Sequence, residues 1–172
     1  MNTSNRIRVA GLTVVLLLAA LAALAAPASA TEFAEPRPGL HTGAQPTAED
    51  LATLSQQGVR TVIDLRTDEE DRGFDEATEV ERQGMRYVRL PVGGADDLTA
   101  ANAAALKQAL DESGDGVLLH CASGNRVGAL LALMAAQHED ATPAQAMDFG
   151  KRAGLKSLEP AVAEKLGATP TP

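Results

Sequence analysis

Apolar and polar positions divide the chain into two regimes. Leu12–Ala26 is apolar at every position but Thr13 and shows no face. From Leu40 onward, short β-branched or apolar runs alternate with segments of helical spacing. Leu40–Gly43 reads as a short edge strand. Thr47 caps a helix with Glu49 and Asp50 in its first turn, Leu51 and Leu54 on one face and a stop at Gly58. Val59–Leu65 is a buried strand and Phe74–Gln83 a second helix. Met85–Leu90 is a strand stopped by Pro91. Val92–Leu98 reads as a flexible loop. Thr99 caps an Ala-rich helix reaching Ser113, and Val117–His120 is a short apolar strand. An apolar helix follows from Val127 to His138. Thr142 with Pro143 opens another to Arg152, and Leu158–Leu166 is the last. Strands alternating with helices predict an α/β domain with a parallel central sheet of about four strands, covered by helices on both faces. The domain is expected over residues 40–167, preceded by an extended linker at 31–39 and followed by a flexible tail at 168–172.

The first thirty residues have a separate logic. Arg6 and Arg8 precede the 15-residue apolar run, Pro27 ends it, and Ala28-Ser29-Ala30 places small residues where a leader peptidase cuts. This order predicts a secretory signal peptide cleaved after Ala30 and a periplasmic or secreted protein. The run falls short of the roughly 20 residues a membrane span needs, so no membrane association is expected after cleavage. Export changes the meaning of the cysteine count. Cys121 is the single cysteine, so it has no internal disulfide partner in a compartment that favours pairing. It is either a buried small hydrophobe or a working nucleophile.

Charge and composition then exclude classes. The 172 residues carry a net charge of −8, and without the leader, which holds two arginines and no acid, −10. Three Phe, one Tyr and no Trp leave few rings for base stacking, so nucleic acid is not an expected partner. The histidines at 41, 120 and 138 show no ligand spacing, so no metal is expected. No nucleotide-binding loop is present and no cofactor is expected. A monomer is the default.

The chemistry concentrates in His120–Arg126, between a buried strand and a helix. Ligands of open α/β sheets bind beyond the carboxyl ends of strands. A loop there turns its N–H groups into one concavity, and the following helix adds its positive end. Such a cradle binds an oxyanion and favours the anionic form of a thiol at its centre. Cys121 is thus the candidate nucleophile. Ala122, Ser123, Gly124, Asn125 and Arg126 form the candidate anion-binding loop, with Arg126 supplying a planar fork for phosphate or another tetrahedral anion. His120 either orients this loop or fills space as a core histidine. Asp96 and Asp97 are candidate proton donors on the loop after the third strand, or solvated carboxylates that start the next helix. Asp64 is expected to serve structure. Arg66 either presents charge to the site or pairs with the acids at 68–71, in a segment that otherwise reads as solvated surface.

His120-Cys121 followed by Gly124 and an arginine resembles the signature loop of cysteine-dependent protein tyrosine phosphatases. From Gly39 to Leu166 the chain resembles the small bacterial beta-lactamase-hydrolase-like phosphatase family. The shared features are Gly43-Ala44-Gln45-Pro46 before a helix, the strand Thr61–Arg66, the strand and turn Tyr87–Val92, and the Cys-x-Ser-Gly-x-Arg loop. The resemblance implies a phosphatase-like three-layer fold and hydrolysis of small phosphomonoesters through a cysteinyl-phosphate. It gives Cys121 as nucleophile, Arg126 as phosphate clamp and an aspartate, Asp96 or Asp97, as acid. Two positions depart from the phosphatase pattern. Four residues rather than five separate Cys121 from Arg126, a spacing that also looks like rhodanese-type sulfurtransferases. Val127 stands where a hydroxyl usually follows the arginine. A persulfide-carrying sulfurtransferase and a non-catalytic anion-binding module therefore remain as alternatives.

Overall fold

The computed structural model describes residues 31–167. The proposed signal peptide and the tail at 168–172 lie outside these residues. Helix starts follow the caps written in the sequence. Thr47 and Asp50 form a reciprocal capping box at α1 (Ala48–Gln56). Asp75 caps α2 (Glu76–Arg82), and Thr99 caps α3 (Ala100–Ser113). Thr142 and Gln145 form a second capping box at α5 (Pro143–Arg152), with Pro143 in the first turn. Between them run α4 (Asn125–His138) and, near the end, α6 (Glu159–Lys165).

Five strands make one sheet: β1 (Ala34–Arg37), β2 (Leu40–Gly43), β3 (Thr61–Asp64), β4 (Arg86–Arg89) and β5 (Val117–His120). Their order is β1-β2-β5-β3-β4. The last four positions in that order are parallel, as expected, while β1 runs antiparallel to β2. The segment read as a linker therefore supplies the true edge, and β2 lies inside the sheet. Its turn holds because Gly39 takes φ 75° and its N–H donates to the Glu35 carboxylate.

Strands β3 and β5 are buried at every position, and their side chains alternate between two cores. Val62 and Leu118 face α1 and α2, packing with Leu51, Leu54 and Val80. Ile63 and Leu119 face the other way, into Leu106, Leu130, Leu131 and Met134. Helix α4 is buried without interruption from Val127 to Ala135, which explains why it is apolar all round. It is the central helix of its layer, between α3 and α5. The sequence reading of a two-sided α/β domain thus holds.

The α4–α5 contact is close enough to require glycine. A methyl group on Gly128 would fall 2.2 Å from the Leu155 amide nitrogen and 2.4 Å from the Gly150 carbonyl oxygen. Backbone atoms cannot yield as a flexible side chain would. Gly128→Ala is expected to lower stability by about 1–3 kcal/mol through overpacking. Urea denaturation with an unchanged midpoint would show that the two helices separate freely.

Candidate active site

Strand β5 ends at His120, and the chain turns at once into α4, so the loop Cys121–Gly124 lies over the carboxyl end of the sheet. Two contacts with the end of β2 fix it: an antiparallel bridge between Ser123 and Ala44, and a bond from the Cys121 N–H to the Gly43 carbonyl at 3.4 Å. Gly124 takes φ 83°, in the left-handed region, and this turns its N–H onto Cys121 Sγ at 3.1 Å. Cys121 is fully buried at the base of this loop. The first turn of the 14-residue α4 begins directly above it, so the helix's positive end and the Gly124 amide face the same sulfur.

Arg126 sits in the first turn of α4. Its Nη1 and Nη2 donate to the two oxygens of Glu70, both at 2.6 Å, and Nη1 also donates to the Val92 carbonyl at 2.8 Å. Three of the guanidinium's five N–H bonds are thereby used, leaving the Nε–H and one Nη2–H on the other edge. The Glu70 hydrogen bonds raise the Arg126 pKa against the effect of burial, and the nearby Cys121 adds to the rise. Arg126 lowers the pKa of Glu70 in turn, against burial, helped by the Thr67 N–H. That N–H donates to Glu70 Oε1 at 2.8 Å. Glu70 was expected on a solvated loop. Its one sequence signal is the three-residue step from Thr67, the spacing of a capping box with no helix after it.

Behind the loop lies a second ionic cluster. Asp64 at the end of β3, Arg66 just beyond it, Glu76 in α2 and His120 are all buried. Arg66 donates through Nε to Asp64 Oδ1 and through Nη2 to Asp64 Oδ2, both at 2.9 Å, and its Nη2 also pairs with Glu76. His120 Nε2 lies 2.7 Å from Glu76 Oε1 and 3.9 Å from Asp64 Oδ1. The Tyr87 hydroxyl donates to Asp64 Oδ2 at 2.7 Å. Burial would raise the Asp64 pKa, but Arg66, His120 and Tyr87 outweigh it and hold it at about 2. Burial and Asp64 together push Tyr87 up to about 12. Arg66 therefore neither reaches the site nor pairs with acids 68–71: two closer carboxylates claim it. Asp64, Glu76 and His120 are metal-ligand types within 4.8 Å of one another, but the Arg66 guanidinium already serves both carboxylates as their cation. His120 faces this cluster, which accounts for a histidine one residue before Cys121.

The other sequence candidates separate. Asn125 turns its side chain away from the loop's centre: Nδ2 donates to Ser157 Oγ at 2.8 Å, and Oδ1 accepts from the Lys156 N–H at 2.8 Å. It joins the loop to the α5–α6 turn. The 92–98 segment is closed by its own bonds. Asp97 Oδ2 accepts from the Gly93 N–H at 2.7 Å, and the Asn102 amide donates to the Asp97 carbonyl at 2.7 Å. Asp96 is exposed on the same single turn. A cleft of about 390 Å³ opens over the loop, lined by Thr67, Glu70, Gly93, Gly94, Ser123, Asn125, Arg126 and Leu158. Neither aspartate lines it.

The chain matches the family model described as a DSP-PTPase phosphatase fused to NAD+ kinase over residues 21–159. It belongs to this DSP-PTPase phosphatase family. A beta-lactamase hydrolase-like protein of Agrobacterium fabrum is 32% identical over 115 residues, 64% of this chain and 26% of that protein. One from Xylella fastidiosa is 34% identical over 93 residues, 52% of this chain and 21% of the relative. The chain thus spans about a quarter of the length of these curated relatives. A DUF442 phosphatase from Shewanella putrefaciens superposes with a TM-score of 0.63 at 26% identity, covering 80% of this chain and 87% of that one. P. aeruginosa TpbA, in complex with pTyr, shares the fold at 20% identity with a TM-score of 0.62, covering 83% and 92%. This member of the phosphatase family therefore has an α/β phosphatase-like fold related to protein tyrosine phosphatases.

Two expectations follow for this DSP-PTPase family member. Asp64 ionises at about 2 instead of 3.8, so its stabilising contribution is complete above about pH 4 and is lost as pH falls toward 2. Acid unfolding of the wild type should show this loss and Asp64→Asn should not; identical pH dependence would detach the cluster from stability. Second, Glu70→Ala releases the Arg126 fork and should weaken binding of inorganic phosphate about tenfold in calorimetry. Tighter binding would mean that Glu70 blocks the anion instead of positioning its clamp.

Proposed function

We propose that this phosphatase-family domain is an exported, cysteine-dependent phosphomonoester hydrolase that works through a cysteinyl-phosphate. One observation carries the reading: the Cys121 sulfur lies under the Gly124 N–H at the start of α4, with the Arg126 guanidinium held beside it. Sγ attacks phosphorus, and the S–P bond forms as the P–O bond to the leaving group breaks. The loop amides and the free edge of Arg126 hold the non-bridging oxygens, whose charge grows in the transition state. Glu70 keeps the fork oriented from the opposite edge, so the clamp is in place before substrate arrives. Water then attacks phosphorus and returns the electrons of the S–P bond to sulfur. The export component rests on the sequence order of residues 1–30.

A second reading is supported by the four-residue spacing and by Val127, which is buried and cannot donate to the sulfur. A persulfide on Cys121, formed from a sulfane donor such as thiosulfate with sulfite leaving, uses the same cradle. The mature protein, residues 31–172, separates the two. With an aryl phosphate, phosphate release should be abolished in Cys121→Ser and reduced by at least a hundredfold in Arg126→Ala. Thiocyanate formation from thiosulfate and cyanide, with no phosphate release above the Cys121→Ser control, would replace the first reading by the second.

A further inference from the structure

The cleft over the Cys121–Gly124 loop is poorly supplied with protons among the described residues. Glu70 is the one carboxyl group among the described residues that line it, and both its oxygens accept from Arg126. A carboxylate so engaged is an acceptor, and Arg126 keeps it ionised. Asp97 holds the Gly93 N–H with its own carboxylate, and Asp96 is exposed on the turn beyond. His120 points backward into the cluster of Glu76 and Asp64, away from the cleft. The hydroxyls of Thr67 and Ser123 are about as weakly acidic as a departing alcohol, so a proton taken from either only moves the alkoxide onto the protein. An ordinary alkyl phosphate requires such a proton, since an alkoxide is a strong base and departs slowly without one.

We infer that the phosphoryl donors turned over here are those whose leaving group departs as a stable anion, acyl phosphates being the fitting class. This rests on the phosphatase reading above and narrows it. In the first step the Cys121 thiolate forms the S–P bond while the P–O bond breaks. The bond's electron pair leaves with the carboxylate, and no proton is transferred. In the second, water attacks phosphorus, the S–P electrons return to sulfur as thiolate, and the proton of water passes to solvent. Neither step needs an oxidant, a reductant or a third reactant.

The test is the dependence of kcat/KM on leaving-group basicity, with acetyl phosphate measured alongside. Dinitrophenyl, nitrophenyl and phenyl phosphate form the series, and kcat/KM reports the first step alone. The value should fall by a hundredfold or more from dinitrophenyl to phenyl phosphate, the span that a general acid would otherwise supply. Acetyl phosphate should be cleaved in a Cys121-dependent way. A series flat to within about tenfold would overturn the inference while leaving the phosphatase reading intact. Steepening of the series in Asp96→Asn or Asp97→Asn would also overturn it, by identifying the proton donor. Failure on dinitrophenyl phosphate itself, at the level of Cys121→Ser, would overturn the phosphatase reading and this inference together.

Discussion

A guanidinium buried between two carboxylates governs the carboxyl end of the sheet. Asp64 closes β3, Glu76 opens α2, and Arg66 joins them with no exposure to water. Removing such charges from water costs several kcal/mol per ion, and close pairing of opposite charges offsets it. The cluster therefore tolerates little rearrangement. His120 touches it from β5, so the strand that leads into Cys121 ends at a fixed height against its neighbour. The direction in which Cys121 leaves the sheet is set from below before the loop contributes anything.

Two arginines on opposite sides of that boundary illustrate a division of labour. Arg66 bonds through Nε and Nη2 to fixed buried carboxylates, and its Nη1 is enclosed, out of reach of solvent and with no hydrogen-bond partner among the described residues. Arg126 is held only by its Nη end, through Glu70 and Val92, and retains an unused edge. An anion clamp has to combine orientation with vacancy, because a guanidinium without a partner would spend binding energy on becoming ordered. Glu70 supplies the orientation and is itself held by the Thr67 N–H. The chain of constraint runs from a backbone amide through a carboxylate to the Arg126 guanidinium.

Most of the fold was legible because local signals agree with the global arrangement. Thr47, Thr99 and Thr142 cap the helices they announce, and Val59–Leu65 and Val117–His120 read as buried strands because Thr61–Asp64 and Val117–His120 are buried on both faces. The β1 edge was less visible: Pro36 and Pro38 argue against a central strand but permit an edge. In the site, Cys121, Gly124 and Arg126 stood out because strand, loop and helix are contiguous. Glu70 and Glu76 did not, since an acid among acids carries no mark of its partner. Their roles arise from pairing across 56 and 10 residues with arginines. Asn125 was legible as a loop residue but not as a latch, because its partners at 156 and 157 lie beyond two helices.

The proposed anion site on so acidic a domain poses a question of range. The net charge of −10 beyond residue 30 repels a phosphate at long distance. At physiological ionic strength the Debye length is about 8 Å, so most of those carboxylates are screened before the substrate reaches the cleft. Inside it, the contacts that count lie within a few ångströms: the Gly124 amide, the start of α4 and the free edge of Arg126. The nearest carboxylate, Glu70, is neutralised by the guanidinium it orients. Short-range dipoles can therefore hold an anion that the domain as a whole would turn away, and raising salt should cost this site less than it would a surface pair.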